Sequence, residues 1–466
     1  MERVALNALA SKKRVEGNAF HLPDVGMRLI LFRLVGIILW VGLASAGFAQ
    51  RPRFDPQRDY AYDLAATDAA VVTVELTAGS FAWPAEAQAG DTAFLEIALT
   101  GTTGAAPEIK AVRGEASVRQ VFEANAKGRR FMDVSPLLGA TGGQASLTGV
   151  NATWQTGAAR LFLYKNTPLA GRRVLVLAPH PDDAEIAAFG VYRRTGADVI
   201  TVTAGDAGGD NFKVLFPDRP EHYRVKGWIR TWDSISVPFY GGVYPGKARN
   251  LGYYDALLRP MHAKPTEAVS PLIAKLDDPG YYRSLNVDAR LRARPFKATW
   301  QALVDDLGWE LRRVKPEVIV APHPMLDAHA DHQFATIALI EALAKWRGQC
   351  ELYLYTNHAL ENEAWPLGDR DAMSGLPPSS RAGLFFKRIY SHSVSPLEQK
   401  LKLVALEAMH DLRAFDLRDG TPVDEADLKA WKSYDYYRRG PRPNELFFVV
   451  TREDAFRLRE AFLTRK

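Results

Sequence analysis

Two short strings place metal-binding groups directly after apolar runs: A-P-H-P-D-D at residues 178–183 and D-A-H-A-D-H at 327–332. The first follows V-L-V-L and the second follows V-I-V, the kind of run that forms buried parallel strands. Loops leaving the carboxyl ends of such strands carry the chemistry of open α/β sheets. A catalytic zinc takes three protein ligands, typically His and carboxylate, and leaves one position for water. His180, Asp183 and His332 fit that count. Two ligands from one strand end and one from a later strand end converge when the strands lie side by side. Asp182 is then expected beside the water as general base, and His329, three residues before His332, within reach of a substrate oxygen.

The other candidates read as structural. Asp331 stands where a helix cap is expected before a helix at 333–346. His222, His262 and His358 lack ligand spacing, and His323 reads as a neighbour of the second string. Cys350 is the single cysteine, which excludes an internal disulfide and a cysteine-based zinc knuckle and leaves His and carboxylate as ligands. It is expected to pack as a small apolar group at a strand start.

The pattern H-P-D-D-A-E-I followed by a helix, then H-A-D-H before another helix, resembles the PIG-L/LmbE family of zinc-dependent N-acetylglucosaminyl deacetylases, over roughly residues 171–415. The resemblance implies Zn2+ or another divalent ion on His180, Asp183 and His332, with Asp182 as base and a protonated His329 holding the oxyanion. It implies an acetamido-sugar or glycan substrate. The family's substrate-binding arginine falls in a long stretch where Arg224 and Arg230 are the candidates. Leu251-Gly-Tyr-Tyr-Asp255 is similar to a segment whose aspartate contacts substrate. Residues 355–368 and the helix ending Met409-His410 resemble a subgroup associated with surface polysaccharides, with His410 a candidate to face substrate. A-A-F-G at 187–190 departs from the family's Gly-rich helix start, so a more crowded backbone is expected there.

Rival readings follow from parts of the same pattern. D-x-H-x-D-H is similar to a two-metal string of metallo-β-lactamase type, although its first His is absent and H-P-D-D precedes it. A non-catalytic glycan-binding protein is the second rival.

The elements that must position these residues read as α/β. A Rossmann-like doubly wound, mostly parallel sheet follows from the alternation of strand 174–178, helix 185–194, strand 199–203, helix 300–314, strand 318–321, helix 333–346 and strand 351–355. Residues 205–298 are rich in Gly, Pro, Tyr and Arg and are expected to be an insertion near the site. Ser395-Pro-Leu-Glu398 carries the pattern of a capping box with Pro in the first turn. Short runs at 71–76, 94–99 and 160–164, separated by Gly, Thr and Pro, predict a β-sandwich ahead of the catalytic part. The expected domains are a leader at 1–49, a sandwich at 50–168 and the metal-dependent domain at 169–466.

The 466 residues are 47% apolar, enough for real cores, and no solenoid repeat is present. The formal charge of +5 comes largely from the leader, which holds six Lys/Arg against three Asp/Glu and leaves 53 against 51 in the rest. That balance excludes a nucleic-acid footprint. Residues 27–49 run from Arg28 and Arg33 through an apolar stretch at 34–46 to small residues, the order of a signal peptide or anchor. Met27 is then the expected start. The expectation is an exported, periplasmic or inner-membrane-tethered protein, associated with the membrane through this segment.

Overall fold

The computed structural model describes residues 53–209, 211–413 and 436–465, so the leader lies outside the described residues. Among the described residues no helix is long and apolar enough to cross a membrane. The first nine strands are β1 (Ala70–Leu76), β2 (Ser80–Ala82), β3 (Thr92–Gly101), β4 (Glu108–Arg113), β5 (Ala116–Val121), β6 (Lys127–Asp133), β7 (Gln144–Val150), β8 (Ala152–Trp154) and β9 (Gly157–Tyr164). They make two antiparallel sheets, β1-β9-β3-β6 with β8 beside β3, and β2-β7-β4-β5. Alternation of buried and more exposed side chains along β4 puts Ile109 and Ala111 between the sheets, in one cluster with Phe81, Leu95, Ile97 and Leu161.

The second half carries α1 (Asp183–Thr195), α2 (Arg219–Ser236), α3 (Trp300–Val314), α4 (Ala330–Lys345), α5 (Pro396–Ala408) and α6 (Arg452–Leu463) around a seven-stranded sheet. Its strands are β10 (Val174–Ala178), β11 (Asp198–Thr203), β12 (Ala248–Tyr253), β13 (Val318–Pro322), β14 (Glu351–Tyr355), β15 (Arg388–Ser393) and β16 (Asn444–Thr451). The order is β12-β11-β10-β13-β14-β16-β15, parallel as far as β14 and antiparallel beyond it. Strand order reverses between β10 and β13, whose carboxyl ends therefore open the crevice where such sheets bind ligands. β10 and β13 are buried at every position, which explains their unbroken apolar sequence.

One apolar cluster runs from Phe94, Phe131 and Phe162 of the first sheet pair to Leu175, Ile319 and Phe448 of the second half. Tyr62 stacks on Phe448 at 5.9 Å and 15° across this junction. Cys350 is buried immediately before β14. The capping box at α5 forms in both directions, Glu398 N to Ser395 Oγ at 3.3 Å and Ser395 N to Glu398 Oε2 at 2.8 Å.

The stretch expected as an insertion is different in kind. Its middle part supplies α2 and β12, a further helix and edge strand of the same doubly wound alternation, and the part after Tyr253 is irregular with short helices. The sequence hides this because α2 buries polar groups, His222, Lys226, Arg230, Thr231, Asp233 and Ser234, so apolar periodicity is missing. β12 likewise buries Arg249, which pairs with Glu310 and Asp198.

α1 breaks at Ala188 (φ −142°, ψ 22°). The amides of Gly190 and Val191 donate instead to the Glu445 carboxylate at 2.8 and 3.1 Å. Lys402 Nζ lies 2.8 Å from the same carboxylate, both side chains 1% exposed. A buried ion pair thus braces the helix that starts with Asp183. Removing one partner strands the other charge in a dry interior, so Glu445→Leu should lower stability by about 3–5 kcal/mol. Glu445→Gln paired with Lys402→Met should recover part of that loss, because Gln still accepts an amide; urea denaturation at pH 7 measures both.

Candidate metal centre and active site

The loop leaving β10 is tied by Thr203, whose N–H and Oγ1 both donate to Pro179 O at 2.9 Å. This turns His180 and Asp183 toward the end of β13. His180 N donates to Asp183 Oδ2 at 2.9 Å, and Asn357 Nδ2, just past β14, donates to Asp183 Oδ1 at 2.7 Å. Opposite them, His332 in the first turn of α4 has its Nδ1 3.1 Å from Asp327 Oδ2, which leaves Nε2 as the inward-facing lone pair. His180 Nδ1, Asp183 Oδ2 and His332 Nε2 then form a triangle with edges of 3.2, 3.2 and 3.1 Å. A tetrahedral ion with bonds near 2.0–2.1 Å needs ligand atoms roughly 3.3 Å apart.

The triangle attracts positive charge. Burial alone would lower the pKa of His332, but Asp183 and Asp327 outweigh it and hold the imidazole up to about 10. His180 is also held well above its usual value against its burial, with Asp255 the largest favourable influence. Asp183 stays ionised despite burial because His332 and His180 face it. A buried donor set that takes up protons in this way fits a divalent cation equally well.

Two further groupings could hold an ion, His180/His329/His332 and His180/Asp255/Asp331, with donor atoms within 4.8 Å of one another. Both reuse His180. Asp255 Oδ1 and Asp331 Oδ2 lie 3.1 and 3.4 Å from His180 Nε2, on the opposite ring nitrogen from the triangle. Asp331 also accepts the backbone amides of Ala256 and Leu258 at 2.7 and 3.1 Å.

Asp182 has φ +113°, a backbone state that a non-glycine residue holds only under strain. Arg230 of α2 holds it, donating from Nη2 to Asp182 Oδ2 and to Pro181 O at 2.8 Å each. Burial lifts the Asp182 carboxyl to about 7, with Arg230 opposing the rise. The guanidinium approaches so close to Gly205 (φ +68°) that a Cβ there would lie 2.6–2.8 Å from it. Asp411 takes the other side of Arg230 at 3.3 Å and also pairs with Lys226 at 3.2 Å.

His329 is the N-cap of α4, its Nδ1 accepting the Asp331 amide at 3.2 Å. The sequence pattern placed the cap on Asp331; the structure moves it to His329, because Asp331 turns outward to clamp the 255–258 turn. The cap corrects the protonation expected of His329. Burial first, then the neighbouring His180, His332 and His358, push it down to about 3, and the amino end of a helix disfavours positive charge. His329 is therefore neutral at pH 7, with its proton on Nε2 as a hydrogen-bond donor.

Of the candidate substrate residues, Arg230 and Asp255 join the cluster. Arg224 does not: its Nη1 reaches Tyr281 OH at 3.5 Å and its Nη2 lies 3.9 Å from Glu221. His410 is anchored by Asp233, with Nδ1 to Oδ1 at 2.7 Å and its amide to Oδ2 at 2.9 Å. His358 lacks ligand spacing in sequence, yet its ring lies 5.2 Å from that of His332 and 5.7 Å from that of His329. His222 accepts the Phe212 amide, His262 packs on Trp300 and Phe334, and His323 accepts the Met325 amide beside Phe448. The A-A-F-G departure at 187–190 is where α1 breaks. Asn357 and Asp411 carry no sequence signal, and for Asp327 the D-x-H-x-D-H spacing is the one signal, which does not disclose its role.

Residues 175–343 match the family model described as PIG-L: GlcNAc-PI de-N-acetylase, so this α/β segment is of the PIG-L/LmbE type. Similar solved structures include the zinc-inhibited form of teicoplanin deacetylase Orf2, at 16% identity and TM-score 0.35, covering 60% of this chain and 98% of that one. N,N'-diacetylchitobiose deacetylase from Pyrococcus horikoshii is similar at 15% identity and TM-score 0.35, covering 60% and 85%. The A40926 pseudoaglycone deacetylase Dbv21 is similar at 19% and 0.33, covering 60% and 97%. No curated protein matches the chain.

A depressed histidine binds fewer protons folded than unfolded, so His329 adds stability above its unfolded value of 6.5, and that contribution is lost as pH falls toward about 3. In 15N-histidine NMR of the metal-free protein, His329 should stay neutral with the Nε2–H tautomer from pH 8 to about pH 5. A protonation midpoint near 6.5 would show that the helix cap does not control it.

Proposed function

We propose that the protein is a zinc-dependent N-deacetylase that removes acetyl from an N-acetylated amino sugar or surface glycan. The observation that carries this reading is the 3.1–3.2 Å triangle of His180 Nδ1, Asp183 Oδ2 and His332 Nε2 beside buried Asp182. The family description, a de-N-acetylase acting on GlcNAc-PI, supports the reaction class. The triangle is favoured because all three of its edges lie close to the roughly 3.3 Å that a tetrahedral ion needs between ligand atoms. Two imidazoles and one carboxylate suit zinc, which when bound supplies Lewis acidity to the amide carbonyl and acidifies water.

The chain's own groups do the rest. Asp182, ionised and fixed by Arg230, takes a proton from the attacking water while the water oxygen bonds to the acetyl carbon. The oxyanion faces the neutral His329 Nε2–H, a fixed donor that needs no protonation step. The carbon–nitrogen bond then breaks, and Asp182 returns the proton to the departing amine. A carboxyl lifted to about 7 can accept and release that proton near neutral pH. Asp255 and Asp331 orient His180 from its Nε2 side.

Incubation of metal-loaded protein with acetamido-sugars, followed by mass spectrometry for loss of acetyl, tests the reaction. His180→Ala, Asp183→Ala and His332→Ala should each lower bound metal, and the wild type should hold one ion per chain; two would favour the dinuclear rival. Asp182→Asn should keep the ion and lose about 10² or more in turnover. Loss of metal from Asp182→Asn with retention in Asp183→Ala would reverse the two assignments.

We place the catalytic part outside the cytoplasmic membrane, because Arg28 and Arg33 precede the apolar stretch and stay inside. A reporter fused after Lys466 should report the exported compartment. Cytosolic signal from a soluble, uncleaved chain would overturn this localisation.

A further inference from the structure

A cavity of about 30 Å³ lies beside Asn357, with Ile186, Ala187, Thr356, Lys402, Arg439 and Glu445 in its wall. A buried water needs about 10–15 Å³, so the space takes one or two molecules of that size.

Two polar groups in the wall are short of partners. Thr356 is 7% exposed, and its Oγ1 meets no hydrogen-bond partner among the described residues. Lys402 is 1% exposed, and the one acceptor it reaches among them is Glu445 Oε1 at 2.8 Å. An ammonium carries three N–H donors, so two remain. Leaving such groups unmet in a dry interior is costly.

The break in α1 adds acceptors. In an unbroken helix the amides of Gly190 and Val191 would donate to the carbonyls four residues back, which belong to Ile186 and Ala187. They donate to Glu445, and Ile186 and Ala187 both line the cavity. Spare donors on α5, an unmet hydroxyl just past β14 and carbonyls that lost their helical donors therefore border one space of water size.

The charges in the wall disfavour an ion. Lys402 and Glu445 neutralise each other, and the Arg439 guanidinium is taken up by the carbonyls of Asn357, Glu363 and Trp365. A halide would meet the Glu445 carboxylate and a metal cation the Lys402 ammonium, whereas a water accepts from the ammonium and donates to a carbonyl.

We propose that this cavity is a resident water site, in which one or two water molecules accept from Lys402 Nζ, pair with Thr356 Oγ1 and donate to the carbonyls at the α1 break. The water joins α5, the loop after β14 and the first turns of α1. These are the elements that fix Asp183: it starts α1, Asn357 next to Thr356 donates to its Oδ1 at 2.7 Å, and the Lys402–Glu445 pair braces its helix. The site does not depend on which amide the enzyme cleaves.

Thr356→Val in the full-length protein keeps the shape, removes the hydroxyl and gives opposite signs for the two states of that hydroxyl. With a water bonded to it, the variant should have a lower urea midpoint than wild type; a hydroxyl buried without a partner would make the same change raise the midpoint. Thr356→Ser should recover most of the loss. In a crystal structure of the wild type a density peak should stand within about 3.2 Å of both Thr356 Oγ1 and Lys402 Nζ, with no anomalous signal after exchange into bromide. Groups that hold a metal ligand move metal affinity by about 10–100-fold, and this contact is one step further out. Zinc titrated against a competing chelator should therefore bind Thr356→Val about threefold more weakly than wild type, and Thr356→Ser at near wild-type affinity. A raised midpoint, or a cavity without the peak, overturns the site, and a bromide signal overturns water as its occupant. Unchanged zinc affinity in Thr356→Val with the peak in place overturns the link to Asp183. A wild type that shows the peak but binds no zinc leaves the water site standing and overturns the metal centre.

Discussion

The buried carboxylate of Asp327 is the interaction on which the rest of the site depends. It is fully enclosed yet held ionised, because His332, His358 and backbone amides together outweigh the cost of burial. Oδ1 accepts the His329 amide at 2.9 Å, and Oδ2 accepts from the amides of Asn357 and His358 at 2.9 and 3.2 Å as well as facing His332 Nδ1. One anion therefore sets the tautomer of His332, starts α4 so that His329 becomes its cap, and draws the loop after β14 inward. That loop brings Asn357, whose amide fixes which oxygen of Asp183 faces the triangle. Remove the charge and three of the site's geometries lose a common reference.

The second constraint is the sharing of Arg230 between two acids. Asp182 and Asp411 come from positions 229 residues apart and grip the same guanidinium, one at the candidate base and one on the segment after α5. A single carboxylate partner would pull Arg230 fully onto one side. With both in place the guanidinium is held, and the strained backbone of Asp182 is held with it through the bond to Pro181 O. This explains why α2 is polar on its buried face: its task is to deliver charge to the strand ends and not to fill a core.

That polarity also marks the limit of what the sequence discloses. β10, β13 and β14 are legible because buried parallel strands are continuous apolar runs, and α3 and the α5 capping box because periodicity and caps are local signals. α2 and β12 are not legible by those signals, since their buried residues are charged and pair with partners far along the chain, Arg249 with Glu310 and Lys226 with Asp411. The two metal-type strings stand out by composition alone. Sequence position points to Asp331 as the cap because it cannot tell which of two neighbouring side chains turns back on the helix, and the structure gives that place to His329. His358 and Asn357 carry no spacing signal at all; they enter the site only because β14 lies beside β13.

The part of the chain that matches the family model is not structurally self-sufficient. It ends at residue 343, but Asn357 that orients Asp183, Asp411 that shares Arg230 and Glu445 that caps the broken α1 all lie beyond it. Glu445 sits on β16, which also pairs with the strand that anchors Asn166 and, through Asn444 and Asp133, is bonded to the first sheet pair. The brace on α1 therefore continues into the β-sandwich through a buried polar network, Asp133 with Ser391 and Asn444. Polar networks of this kind hold only when every member is satisfied. Substitutions in the sandwich at Asp133 would accordingly be felt, through Asn444 and the adjacent Glu445, at the helix that begins with Asp183, which gives the sandwich a part in the geometry of the site whether or not it touches glycan.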